Sequence, residues 1–279
     1  MEIPLDVLKI VFVYLVKPKM KLLDWIPIDK LNWLTLSQNP NAIRLLEQNP
    51  DKIIWDILSA NPNAIHLLEA RPENIYWRYL SRNPGAIHLL EQNIDMINWS
   101  ELSSNPNALN LLETVALGLN KINWAILSAN PNTRIINGLL ESVALDMDMI
   151  NWKILSANPN AMHMLETVAL DPNMINWGNL SRNPNAIHML EANPDKIHWI
   201  ELSSNPSALN ILEANPNMID WFELSSNPSA LNLLKANLDK IDWFNLSRNP
   251  SIFELDKIQY KIDITEKANS HFMEIDIIL

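Results

Sequence analysis

Tryptophan recurs at positions 33, 55, 77, 99, 124, 152, 177, 199, 221 and 243, at intervals of 22, 22, 22, 25, 28, 25, 22, 22 and 22 residues. A fixed period of about 20–50 residues marks a tandem array, in which no copy buries its apolar face alone and each must stack on its neighbours. This period outranks any local motif in deciding the fold. A copy read from Trp55 runs WDILSANPNAIHLLEARPENI, and one read from Trp221 runs WFELSSNPSALNLLKANLDKI.

Asn-Pro is the second recurring element, since 13 of the 18 prolines follow an asparagine. Asparagine caps orphan backbone N–H groups, and proline at the first helical position gives up a donor that has no partner there. Proline also disfavours the helical conformation in the residue before it. Each Asn-Pro therefore predicts a helix start and the end of whatever precedes it, which makes one copy two short helices, at 50–59 and 62–70 in the Trp55 copy. Their apolar positions, Ile53, Trp55 and Leu58 in the first and Ala64, Ile65 and Leu68 in the second, follow a helical period. Helices this short are unstable alone, so packing between copies must hold them. The expected fold is all-α, an α-solenoid of about ten two-helix repeats. With packed helices about 8–10 Å apart, ten pairs laid side by side span about 90 Å.

Between Trp99 and Trp177 the linkers LLETVALGLN, LLESVALDMD and MLETVALDPN replace the shorter LLEANPDK type. About three added residues are close to one helical turn, so the second helix is expected to run longer there and the centre, 124–177, to kink or thicken. The ends depart from the motif too. Residues 1–24 are expected to form an N-terminal capping helix, 25–250 the repeat array and 251–279 a C-terminal capping segment. The stretches YKIDIT and FMEIDIIL in that last segment fit either short strands or a final helix.

Composition excludes several activities. Four glycines, none in a GxGxxG or GxxxxGK[ST] frame, leave nothing to cradle a nucleotide phosphate. With no cysteine there is no disulfide, no Cys-ligated zinc and no thiol nucleophile. A net charge of −11 opposes binding to nucleic acid through phosphate neutralisation. The longest apolar run, at 10–16, is too short to span a bilayer and lacks the flank of a secretory signal. A soluble, cytoplasmic protein is expected, with no membrane association and no cofactor.

The unit W-x-x-L-S-x-N-P-x-A-I-x-L-L-E-x-N-P-x-x-I resembles tandem repeats in uncharacterised proteins of giant DNA viruses of the mimivirus and phycodnavirus kind. The resemblance covers roughly residues 20–256, including LLDWIPIDKLNW at the start and NPSIFELD at the end. It implies a setting in host cytoplasm or virion and brings no activity with it. Separately, IPLDVLKIVFVYL at 3–15 resembles the first helix of an F-box, matching at Pro4, Asp6, Val7, Leu8, Phe12, Tyr14 and Leu15. That similarity implies an alternative role, a ubiquitin-ligase substrate adaptor.

The candidate chemistry is repetitive rather than concentrated. His66, His88, His163 and His188 share one slot of the second helix, filled in other copies by Asn110, Asn210 and Asn232. One imidazole per copy is spaced too widely for shared metal coordination. Glu47, Glu69, Glu91, Glu113, Glu141, Glu166, Glu191 and Glu213 likewise form a ladder, a solvated ridge or a set of links between repeats. A catalytic carboxylate pair needs two unlike environments, and no HExxH, GxSxG or calcium-loop signature occurs. No catalytic, cofactor or metal site is expected. If an enzyme is hidden here, the irregular centre from Trp124 to Trp177 is its place.

Specificity is expected where copies differ. The slot after Trp holds Leu34, Asp56, Arg78, Ser100, Ala125, Lys153, Gly178, Ile200, Phe222 and Phe244, a range no core position tolerates. The slots two and five after Trp vary together, as Ile57/Ala60, Glu101/Ser104 or Asn179/Arg182. Such a pattern also occurs in one-base-per-repeat readers of single-stranded RNA, but those need a basic groove. The expected function is a non-enzymatic protein–protein interaction scaffold. Its partner-binding candidates are Ile200, Phe222 and Phe244, an apolar stripe in three consecutive copies, with Arg78 and Lys153 in the same slot. The competing expectation is that the C-terminal tail folds back over that stripe.

Overall fold

The computed structural model describes residues 16, 18–114, 122–132, 150–167 and 174–278. The F-box-like residues 3–15, most of the expected N-terminal capping helix and the inserted residues at 115–121, 133–149 and 168–173 lie outside them. Within them the chain is predominantly helical, with one two-stranded sheet.

Among the described residues every unit has a Trp helix and eight of the ten follow it with a second helix, for example Trp55–Leu58 and Ile65–Ala70, while Trp243–Arg248 is followed by a strand; the first helix is shorter than its sequence predicts. Pro50–Lys52 makes only a 3-10 turn, and Ile53 and Ile54 then run extended before the Trp helix begins. The reason is a bond between units. The backbone N–H of Ile54 donates to Ser37 Oγ of the preceding unit, 3.1 Å away, and is lost to any continuous helix. Asn-Pro thus opens turns, and the Trp helix is capped instead by the residue before Trp, as where Asn98 Oδ1 accepts the Glu101 N–H at 3.0 Å. Second helices start later than predicted as well, at Ile65 rather than at Pro62.

Two buried side chains per unit build the frame. The serine four residues after each of the ten repeat Trp donates to that Trp carbonyl at 2.6–3.1 Å and accepts a backbone N–H from the following unit at 2.8–3.1 Å. The asparagine six after each Trp turns its Nδ2 toward the preceding unit and donates to two carbonyls there. Asn83 reaches Ser59 O and Asn61 O at 2.9 Å, and Asn61 reaches Ser37 O and Asn39 O at 3.0 Å. Its Oδ1 meanwhile accepts the N–H two residues on, as from Gly85 to Asn83. Between these polar layers lies a core of one leucine from each helix, such as Leu58 and Leu68, both fully buried.

The ladder has no free end. Asn39, in the first unit, donates to Ser247 O at 3.0 Å and Asn249 O at 3.1 Å in the last, and the N–H of Asn32 donates to Ser247 Oγ at 2.8 Å. The helices Trp33–Gln38 and Trp243–Arg248 pack together as consecutive Trp helices do. The expectation of an elongated array about 90 Å long is therefore corrected. That contour, ten units at about 8–10 Å each, is a circumference. The ladder also continues through the lengthened centre, where Asn130 reaches Asn105 O at 3.1 Å and Asn158 reaches Asn130 O at 2.8 Å, so no break occurs there.

Closure changes the role of the flanking segments. The apolar face of the last unit is met by the first unit, so the tail does not cap it. Instead β1 (Met20–Leu22) pairs antiparallel with β2 (Phe253–Leu255), and the helix Lys257–Ile278 follows. Charge pairs bind this clasp, with Arg44 Nη1 2.6 Å from Asp256 Oδ2, Lys19 Nζ 3.0 Å from Asp263 and Lys21 Nζ 3.1 Å from Glu254.

The N–H of Gln259 and the guanidinium of Arg44 hold the Asp256 carboxyl below the ordinary aspartate value, and Gln259 Nε2 and Lys19 do the same for Asp263. A carboxylate depressed by folding adds stability above its unfolded value of about 3.9 and loses it as pH falls through the folded value. Asp256→Asn is accordingly expected to melt below the wild type at neutral pH, with the gap closing as pH is lowered from about 5 to about 2. A gap that stays constant over that range contradicts this account of the clasp.

Candidate partner-binding face

At seven of the ten boundaries consecutive Trp helices approach one another more closely than any described pair of consecutive second helices does, which places the Trp helices on the concave side of the ring. A salt bridge marks the same side independently. Arg182 Nη2 pairs with Glu201 in the next unit and also lies 3.7 Å from Glu223, two units along. Side chains two units apart meet only where the units converge. Ten units at about 8–10 Å close a circle about 29 Å across between helix axes, and removing one helix diameter of about 10–12 Å leaves an opening of about 17–19 Å.

On each Trp helix the positions three and four after Trp turn into the core, so positions one and five after it face the opening, with position two at its edge, half-buried in eight units and buried at Thr35 and Asn245. These are the variable slots. Ile200, Phe222 and Phe244 are 50%, 52% and 41% exposed, so no described residue of the tail covers them. Arg78 and Lys153 are exposed in the same slot.

Closure adds a member that the sequence alone did not place. Thr35 Oγ1 donates to Phe244 O at 3.2 Å across the seam, and Leu34 beside it is 45% exposed. Ile200, Phe222, Phe244 and Leu34 thus form one apolar arc over four adjacent units. Arg248 lies over the Phe244 ring, 5.5 Å from its centroid.

The rest of the face is charged. Arg78 Nε donates to Glu101 at 2.9 Å, with Arg82 3.9 Å from the other oxygen of that carboxylate, and this bond raises the Arg78 pKa further. Arg82 also stacks over Tyr79, which meets Tyr76 at 5.0 Å between ring centroids. In the variable slots Arg78, Arg82, Lys153, Arg182 and Arg248 face Asp56, Glu101, Glu201 and Glu223, a balance of +1 in a chain that carries −11.

The histidine and glutamate ladders join each other on the second helices. His66 Nε2 is 2.8 Å from Glu47, His88 2.9 Å from Glu69 and His188 3.4 Å from Glu166, each pair linking adjacent units. Among the described residues no three His, Asp or Glu side chains gather closely enough to hold a metal ion, and no helix is long and apolar enough to cross a membrane. No family model, curated protein or solved structure matches the chain.

Proposed function

We propose that the chain is a non-enzymatic interaction scaffold, a helical solenoid joined end to end, that holds a protein partner against its inner face. The observation that carries this is the contrast between frame and face. The serine and asparagine that link the units are the same in all ten, while the inward slots range from Gly178 to Phe222 and Arg78. A frame that repeats strictly and a face that varies freely divide structure from recognition, and aromatic and arginine side chains dominate protein interfaces. The resemblance to giant-virus repeats puts this scaffold in host cytoplasm or in the virion.

Phe222→Ser combined with Phe244→Ser tests the proposal. Both side chains are exposed, so the variant is expected to keep its stability within about 0.5 kcal/mol per site. It is expected to lose partners that the wild-type chain retains in a cross-linking pull-down. A folded variant that keeps every partner sinks the proposal.

A further inference from the structure

We propose that the opening takes an amphipathic α-helix of the partner, with its apolar stripe on Ile200, Phe222, Phe244 and Leu34 and an acidic face turned to Arg78, Arg82 and Lys153. This rests on the partner-binding function above and names the chemistry of the occupant. Size is the first argument. A helix about 10–12 Å wide, side chains included, enters an opening of about 17–19 Å and fits there singly, seated against one wall with the long Arg and Lys side chains of the other reaching toward it. Shape of the apolar surface is the second. Four adjacent units of ten subtend about 110–140° of the circle, matching the apolar stripe of a surface helix, which is at least about 100° wide.

Charge decides the other face of the occupant. The centre of the arc lies between the Trp221 and Trp243 units, and the point across the ring lies between the Trp99 and Trp124 units. Flanking that point are the Trp77 unit, with Arg78 and Arg82 sharing the single carboxylate of Glu101, and the Trp152 unit, with exposed Lys153. The wall opposite the arc is thus cationic in an otherwise acidic protein. Glutamates or aspartates on the occupant pair with it, whereas a basic helix meets like charge there, and such a mismatch costs affinity.

The test is selection of a displayed library of random peptides, about 16 residues long, on the full-length chain, followed by anisotropy titration of the enriched sequences. Enriched peptides are expected to place apolar residues at helical spacing and to carry more Asp and Glu than Lys and Arg. Phe222→Ser with Phe244→Ser is expected to weaken them about tenfold or more. Lys153→Glu with Arg78→Glu is expected to weaken them about fivefold, an effect that shrinks as salt rises from about 50 to 300 mM. Peptides that depend on Phe222 and Phe244 but are basic, or lack helical spacing, overturn the acidic helix and leave the partner-binding function standing. If no enriched peptide depends on this face, both fall.

Discussion

Asn83→Ala is expected to lower the unfolding midpoint by about 10 °C, corresponding to about 3–5 kcal/mol for a chain of this size. Three bonds are lost at once. Asn83 Nδ2 serves Ser59 O and Asn61 O in the preceding unit, and its Oδ1 serves the N–H of Gly85. The site is fully buried, so water does not replace them. Asn83→Asp is expected to be no milder, although it keeps the Oδ1 acceptor, because it turns a carboxylate oxygen toward two carbonyl oxygens. A thermal melt of both variants by circular dichroism checks the pair, and an Asp variant as stable as the wild type contradicts the assigned direction of these bonds.

Asn39→Ala with Ser247→Ala is expected to cost about as much as the equivalent internal pair, Asn83→Ala with Ser59→Ala, namely about 3–6 kcal/mol. Each pair removes two Nδ2 bonds and one acceptor of a backbone N–H from a single boundary between units. The stability of a repeat protein is close to a sum of unit terms and neighbour terms, so equal boundaries contribute equally. In an open array Asn39 and Ser247 stand at opposite ends and bridge nothing. Their replacement then removes only bonds within each terminal unit and costs markedly less than the internal pair, which makes the comparison decisive for the seam.

The repeat count, the helical class and the inward slots were legible in the sequence because each is written in every copy. Trp spacing counts the units, and the variability of Asp56, Arg78 and Phe222 in one slot excludes it from the core. The helix boundaries were only half legible. Local rules assign Asn61 to capping, and it does accept the N–H of Asn63, but its Nδ2 is committed to the unit before. The extended Ile53–Ile54 segment has the same cause, a serine from another unit taking the N–H. Bonds between units leave no trace in the periodicity of one.

Closure was not legible at all. A turn of about 36° per unit brings ten units full circle, and such a small rotation is set by packing rather than by the period. The apolar arc shows the consequence. Leu34 stands far from Ile200 in the chain, and only the seam makes it the fourth member of the arc.

The ring itself is tested most directly by one distance. The chain has no cysteine, so Gln38→Cys with Arg248→Cys carries two spin labels and no others. Both side chains are exposed and occupy equivalent slots on the first and last Trp helices. A closed ring predicts label separations below about 25 Å by pulsed electron resonance, since helices in contact lie about 8–10 Å apart. A distribution centred beyond about 50 Å, as an open array of about 90 Å requires, contradicts closure and with it the four-unit arc.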